Sequence, residues 1–213
     1  YKAPSMDTQH RKQLFSSHRA LQKQAQMLNN QIHALEQYPS INQAALDALQ
    51  QVLYSLNTQI QNLEEQLYKP SQDPDYEEKV THGSSVIGIG EKTAHAILLA
   101  TNGLQDFDSA AAVAKCLGIT PESHRSGTSI HHKGGMTKLG SNSERALFYM
   151  CTRSAIQYNL ACQALYQRMR AKGKPHKVAA VAVMHKLVKQ FYACVKFKRH
   201  FDNEYHLNKK EQQ

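Results

Sequence analysis

None of the four cysteines, Cys116, Cys151, Cys162 and Cys194, has a partner at CxxC spacing, which removes zinc ribbons and dithiol redox motifs from consideration. All four sit in apolar helical patterns and read as reduced, small core residues of a cytoplasmic protein, not as a disulfide framework. No apolar run approaches the roughly 18 residues that a membrane span needs, so no membrane partner is expected. No convincing strand pattern occurs either. An initiator Met is missing: the chain opens on Tyr1 and reads as the back part of a longer protein. A signal peptide would lie upstream of that point, so its absence is uninformative.

What is present is a chain of 213 residues, 41% of them hydrophobic, enough for a buried core in one domain or two small ones. Charge is distributed unevenly. Residues 1–79 hold 7 Lys/Arg against 9 Asp/Glu, whereas residues 80–213 hold 19 against 8 and nine of the twelve His. A basic half beside a near-neutral one is the footprint of a nucleic-acid-binding domain carried on a separate scaffold.

The near-neutral half is helical by periodicity. Leu14, His18, Leu21, Ala25, Leu28, Ile32 and Leu35 alternate at spacings of four and three, and the pattern resumes from Leu46 through Leu53 and Ile60 to Leu67. Two narrow stripes of this kind predict an antiparallel coiled-coil hairpin over residues 1–69, each arm roughly 40 Å long. Pro39 fits the first turn of the second arm. A homo-oligomer, dimer or tetramer, is expected through this coiled coil. Residues 70–78, with Pro70 and Pro74, read as a linker.

Residues 79–213 read as an all-α domain. "VIGIGEKTAHAILLATNG" places Gly88 and Gly90 in a tight turn before a helix from about Glu91 to Thr101. Asp108 is placed to cap a short helix that Gly118 ends. A long helix then runs from the Ser141–Glu144 capping box through Leu147, Tyr158 and Met169. "AKGKPHK" breaks it, and a last helix precedes a basic, frayed tail from Lys196.

Two segments carry chemistry. The Gly88/Gly90 turn has the hydrophobic-Gly-hydrophobic-Gly shape of a helix-hairpin-helix, in which backbone N–H groups at the next helix start meet a phosphate. A helix–helix corner that needs glycine only for packing has the same shape. The second segment is "PESHRSGTSIHHKGGMTKLGSN", residues 121–142, a polar, glycine-rich loop holding Ser126 with Arg125, Gly127, Lys133, Lys138 and Arg145 nearby. A serine that attacks a phosphodiester needs positive charge on the non-bridging oxygens and a way to lose its proton. A Ser-Gly pair in a basic loop is also an ordinary turn. His131 and His132 lack a carboxylate or Cys partner at ligand spacing, so they read as phosphate contacts or surface and no metal site is expected.

The order of the motifs adds a resemblance. A helical hairpin followed by "VIGIGEKTAHAILLAT", "FDSAAAVAKCLGITPESHRSG", "KGGMTKLGSNSERALF" and "YQRMRAKGKPHKVAAVAVMHKLV" resembles the C-terminal half of the insertion-sequence transposases related to the Piv invertase, the bridge-RNA-guided serine recombinases. The resemblance covers nearly all of residues 10–195. It implies that Ser126 is the nucleophile that joins covalently to DNA, with Gly127 in the same motif. It also implies that Lys138, Gly140 and Arg145 belong to one basic signature, and Lys172, Gly173, Lys174, Pro175 and Lys177 to a second. The implied partners are donor and target DNA and a guide RNA. No cofactor is expected in these residues, because Mg²⁺ falls to an N-terminal RNase H-like domain with four carboxylates. This sequence departs from the family at Ile87 (usually Pro), Ser141 (usually Asn) and Glu144 (often apolar). The alternative function is a non-catalytic helix-hairpin-helix module that grips nucleic-acid backbone.

Overall fold

The computed structural model describes residues 5–126, 130–136 and 142–205; for residues 121–126, 130–136, 142 and 143 it describes the backbone alone. The chain divides into two compact units, Pro4–Gln72 and Asp73–Gln213.

The first unit is an antiparallel pair of helices, α1 (Met6–Glu36) and α2 (Gln43–Leu67). Ser5 caps α1 by accepting from the Thr8 N–H, and Asn42 caps α2 by accepting from that of Ala45. Pro39 therefore lies in the connection and not in α2, because the side chain that satisfies the first free N–H groups arrives three residues later. His18, Ala25, Ile32, Leu46 and Leu67 are buried along the predicted stripes, and the intervening leucines are half-buried. The hairpin's open end is held by Arg11, which is 5% exposed. Its guanidinium donates to the Leu67 and Lys69 carbonyls at 2.8 and 2.9 Å and to Asp7 at 2.9 Å. A cation thus closes the C-terminal end of α2, where unpaired carbonyls concentrate negative charge.

The second unit is built on α8 (His176–Lys196), whose side chains from Ala179 to Val195 supply the largest buried group. By length and composition α8 could cross a membrane, but 56% of its most apolar window is buried inside the protein. Around it pack α3 (Pro74–Ser84), α5 (Ala110–Cys116), α6 (Asn142–Tyr158) and α7 (Leu160–Ala171), while α4 (Glu91–Ala100) rests on α3 and α6. The contact of α3 with α8 requires Gly83. A β-carbon there would lie 2.3 Å from the Phe191 ring.

Several local expectations shift. Pro74, inside the expected linker, opens α3 behind the Asp73 cap, since proline suits a helix's first turn. Ser109, not Asp108, caps α5. The single long helix is two, α6 and α7, broken at Asn159. Cys116 is exposed, whereas the other three cysteines are buried. The basic tail packs back: the Phe201 N–H donates to Ser85 Oγ at 2.9 Å, and Lys198 pairs with Glu78 and Asp75. The helical class holds, with one exception in the serine loop. There β1 (Pro121–Ser126) and β2 (Ile130–Met136) form an antiparallel ribbon, which lacks the apolar alternation that marks a half-buried strand.

Candidate nucleic-acid interface

The ribbon gives the serine segment its geometry. Ser126 is the last residue of β1 and pairs with Ile130, Arg125 pairs with His131, and His124 with His132. Ser123 pairs with Lys133, and the register slips between Pro121 and Ser123. Position 126 is thus set at the ribbon's tip, next to the three-residue connection. Strand alternation puts positions 124, 126, 130 and 132 on one face of the ribbon and 125, 131 and 133 on the other. Gly127, Lys138, Gly140 and Ser141 lie outside the described residues. Arg145 is half-buried in the first turns of α6.

The Gly88/Gly90 turn is held from behind. Gly88 has φ +107°, and a β-carbon there would meet the Ala155 methyl at 2.8 Å and the Cys151 carbonyl at 3.1 Å. Its glycine is required by backbone conformation and by close approach to α6. Asn159, fully buried at the α6/α7 break, donates to the Ile87 carbonyl at 3.1 Å and to Gln190 at 3.0 Å while capping α7 through the Cys162 N–H. Gly90 differs: it caps α4 without a side-chain hydrogen bond, is exposed, and has nothing within 4 Å of where a β-carbon would sit. Of the two glycines, Gly88 serves packing, and Gly90 leaves the start of α4 without a side-chain cap, with Glu91 in its first turn.

Lys172, Lys174 and Lys177 are brought together by the α7/α8 turn. Gly173, at φ +72°, reverses the chain; the Gly173 and Lys174 N–H groups close on the Arg170 and Met169 carbonyls, and Arg170 donates to the Lys174 carbonyl at 2.7 Å. Every residue from 171 to 178 is exposed. Cations on a well-formed turn, with no carboxylate among them, suit a phosphate backbone.

Comparison with known proteins shows what this arrangement is similar to. Residues 84–167 match the model of the Transposase IS116/IS110/IS902 family. Over those residues the chain is similar to transposases of that family. The match takes in the glycine turn, the serine ribbon, α6 and most of α7, and stops short of Lys172, Lys174 and Lys177. The chain is 32% identical over 134 residues to the pilin gene-inverting protein of Moraxella bovis, an alignment covering 62% of this chain and 42% of the relative. With the Moraxella lacunata pilin gene-inverting protein it is 33% identical, over 58% of this chain and 38% of the relative. An insertion element IS110 uncharacterized 43.6 kDa protein of Streptomyces coelicolor is 30% identical over 53% of this chain and 28% of its own length. The chain therefore spans less than half of each of these relatives.

Within and just beyond the matched residues, no Asp or Glu occurs from Arg145 to Phe201, a stretch with twelve Lys/Arg. Burial pushes the thiols of Cys151 and Cys194 up, and that of Cys162 up to about 12. Cys116, outside that stretch, is also raised, by burial and then by the Glu144 charge. Sequence reasoning missed a cluster of aromatic residues. His176, the first residue of α8, stands 2.8 Å through Nδ1 from the Tyr166 hydroxyl and 3.3 Å through Nε2 from that of Tyr149. Tyr149 and Arg153, one helical turn apart on α6, share a cleft with Tyr166 and His176. The legible signal was a tyrosine and an arginine at i, i+4 within the basic half of the chain.

Proposed function

We propose that this chain is the DNA-joining part of a transposase or DNA invertase, with Ser126 as its nucleophile. Ser126 Oγ bonds to a DNA phosphorus as the phosphorus–oxygen bond to one deoxyribose breaks. The leaving oxygen gains a proton, and the serine hydroxyl loses one. Attack on the phosphoserine by a hydroxyl of another strand restores the phosphodiester, so the exchange conserves its bonds and needs no energy source. Lys138 and Arg145 neutralise the phosphate as charge builds on it, while Arg125 and Lys133, on the ribbon's other face, hold neighbouring phosphates of the backbone. Gly127, next to Ser126 in sequence, would let the backbone come close to the strand. Lys172, Lys174 and Lys177, with the open start of α4 at Gly90, hold backbone further along, while Gly88 supports that turn from within.

The observation that carries this reading is the placement of Ser126 at the ribbon's tip, within the residues that match the transposase family model. Among the described residues no group of three or more His, Cys, Asp or Glu is placed to hold a metal. The Mg²⁺ that the family resemblance implies would be held by an RNase H-like domain, and a guide RNA would select the target. The half-buried leucines of the hairpin form the seam of a coiled coil, through which copies associate as a dimer or tetramer.

The test is covalent trapping of DNA by the protein together with its RNase H-like domain. Ser126→Ala should abolish the adduct and leave DNA affinity within about threefold, since the cations that supply affinity remain. Tyr166→Phe should still form it. An adduct from Ser126→Ala at the wild-type rate would leave a non-catalytic, backbone-gripping module as the function.

A further inference from the structure

We propose that the cleft between α6, α7 and the start of α8 receives one unstacked nucleotide of single-stranded DNA, its base against the tyrosines and its phosphate at the basic α7/α8 turn. The proposal rests on the reading of this chain as a DNA-joining enzyme, because strand exchange opens the duplex and exposes such nucleotides.

The cleft has a volume of about 390 Å³, with walls that include Tyr149, Met150, Arg153, Ile156, Tyr166 and His176. That is the size of a small-ligand pocket, and it is too confined for a duplex. Tyr149 and Tyr166 come from different helices, and both hydroxyls are tied to one imidazole. A neutral imidazole has one donor and one acceptor nitrogen, so it can satisfy both phenols at once, accepting from one and donating to the other. Two aromatic rings are thereby fixed before any ligand arrives, which lowers the ordering cost of binding. Bases stack on such rings without sequence preference.

Charge selects the occupant. Arg153 is exposed on the wall, none of the lining residues is acidic, and Lys174 and Lys177 flank Pro175 and His176 in sequence. Pro175 caps α8 without a side-chain hydrogen bond, so the first N–H groups of a 21-residue helix are left for a phosphate oxygen. An acidic or apolar peptide would use the cations or the apolar wall, but it would leave one of the two unmatched. A nucleotide uses both.

The probe is a single-stranded DNA oligonucleotide carrying one 2-aminopurine, compared with its duplex and with RNA of the same sequence. The protein should quench the fluorophore in the single strand and leave the duplex unquenched. Tyr149→Ala or Tyr166→Ala should each weaken single-strand affinity about 5- to 150-fold and remove the quenching. The matching Phe variants should keep the quenching and lose less affinity than the Ala variants, since the ring remains and only its tie to His176 is lost. Arg153→Glu, exposed and outside the core, covers the case in which an Ala variant misfolds: it should weaken binding and flatten the log–log salt slope by about one. Folded Ala variants and Arg153→Glu that bind like wild type would overturn the proposal, as would quenching of the duplex as deep as that of the single strand. Ser126→Ala should quench normally. An adduct that survives Ser126→Ala with quenching intact would count against the nucleophile alone, and an intact adduct with unaltered binding in the cleft variants would count against the cleft alone.

Discussion

Gly88→Ala separates the two readings of the glycine turn. The new methyl would sit 2.8 Å from Ala155 Cβ, 3.1 Å from the Cys151 carbonyl oxygen and 3.2 Å from Ala155 Cα. Two of these three neighbours are helix backbone, which cannot swing aside, so overpacking should cost about 1–3 kcal/mol. The backbone adds its own penalty, because φ of +107° is unfavourable for an L-residue by roughly 1–2 kcal/mol. Together they predict a loss of about 2–5 kcal/mol, a large share of the stability of an ordinary domain. At about 3 °C per kcal/mol for a chain of this size, Tm should fall by roughly 6–15 °C. Gly90→Ala is the matched control, with φ −81° and open space around it, and its Tm should stay within about 3 °C of wild type. Thermal unfolding followed by circular dichroism reads both, and DNA titration below the transition reads affinity. If Gly88→Ala melted like wild type while losing DNA binding, its glycine would be a phosphate contact and the packing argument would be wrong.

Asn159→Ala should destabilise the domain by about 2–4 kcal/mol in chemical denaturation, from a lost α7 cap and an orphaned Ile87 carbonyl. Arg11→Ala should cost the hairpin a similar 2–4 kcal/mol, since the buried Leu67 carbonyl loses a charged donor. In the same clasp, burial pushes the Asp7 carboxyl up, but hydrogen bonds from Ser71 and Arg11 outweigh it and hold it below its ordinary 3.8. A depressed carboxyl stabilises above that ordinary value, and its contribution disappears as pH falls through the folded value. Acid titration of the hairpin should therefore show a loss of stability below about pH 3.8 that Asp7→Asn removes. DNA affinity of the protein should fall with salt at a log–log slope near −5 if about six phosphates are neutralised, and a flat response would exclude backbone contact as the main source of affinity.

How far the fold was legible depends on whether its cause is local. The hairpin stripes were readable because spacing alone sets which residues face inward; Leu14 to Leu35 and Leu46 to Leu67 are all buried or half-buried. The break at Asn159 was not readable, because "SAIQYNLACQ" contains no Gly or Pro and continues the helical period. What interrupts the helix there is a bond to Ile87, 72 residues away, and no local window contains it. Asp108 and Ser109 compete for one cap within a single residue, a choice that propensity does not resolve.

The candidate site divides along the same line. Ser126, its neighbouring arginine and the lysines of the α7/α8 turn are contiguous in sequence, so composition and charge point to them directly. A serine beside arginine and glycine says nothing, however, about whether its backbone is strand or coil; pairing with Ile130 settles that, through hydrogen bonds that leave no apolar trace in the sequence. The tyrosine cleft lay further out of reach. Tyr149, Tyr166 and His176 are separated by 17 and 10 positions, and each alone reads as an ordinary helical residue. They become a site only because α8 begins where α6 and α7 converge, so that one imidazole can hold two phenols. Basic residues are visible one by one in the sequence, whereas two phenols held by one imidazole are assembled by the packing.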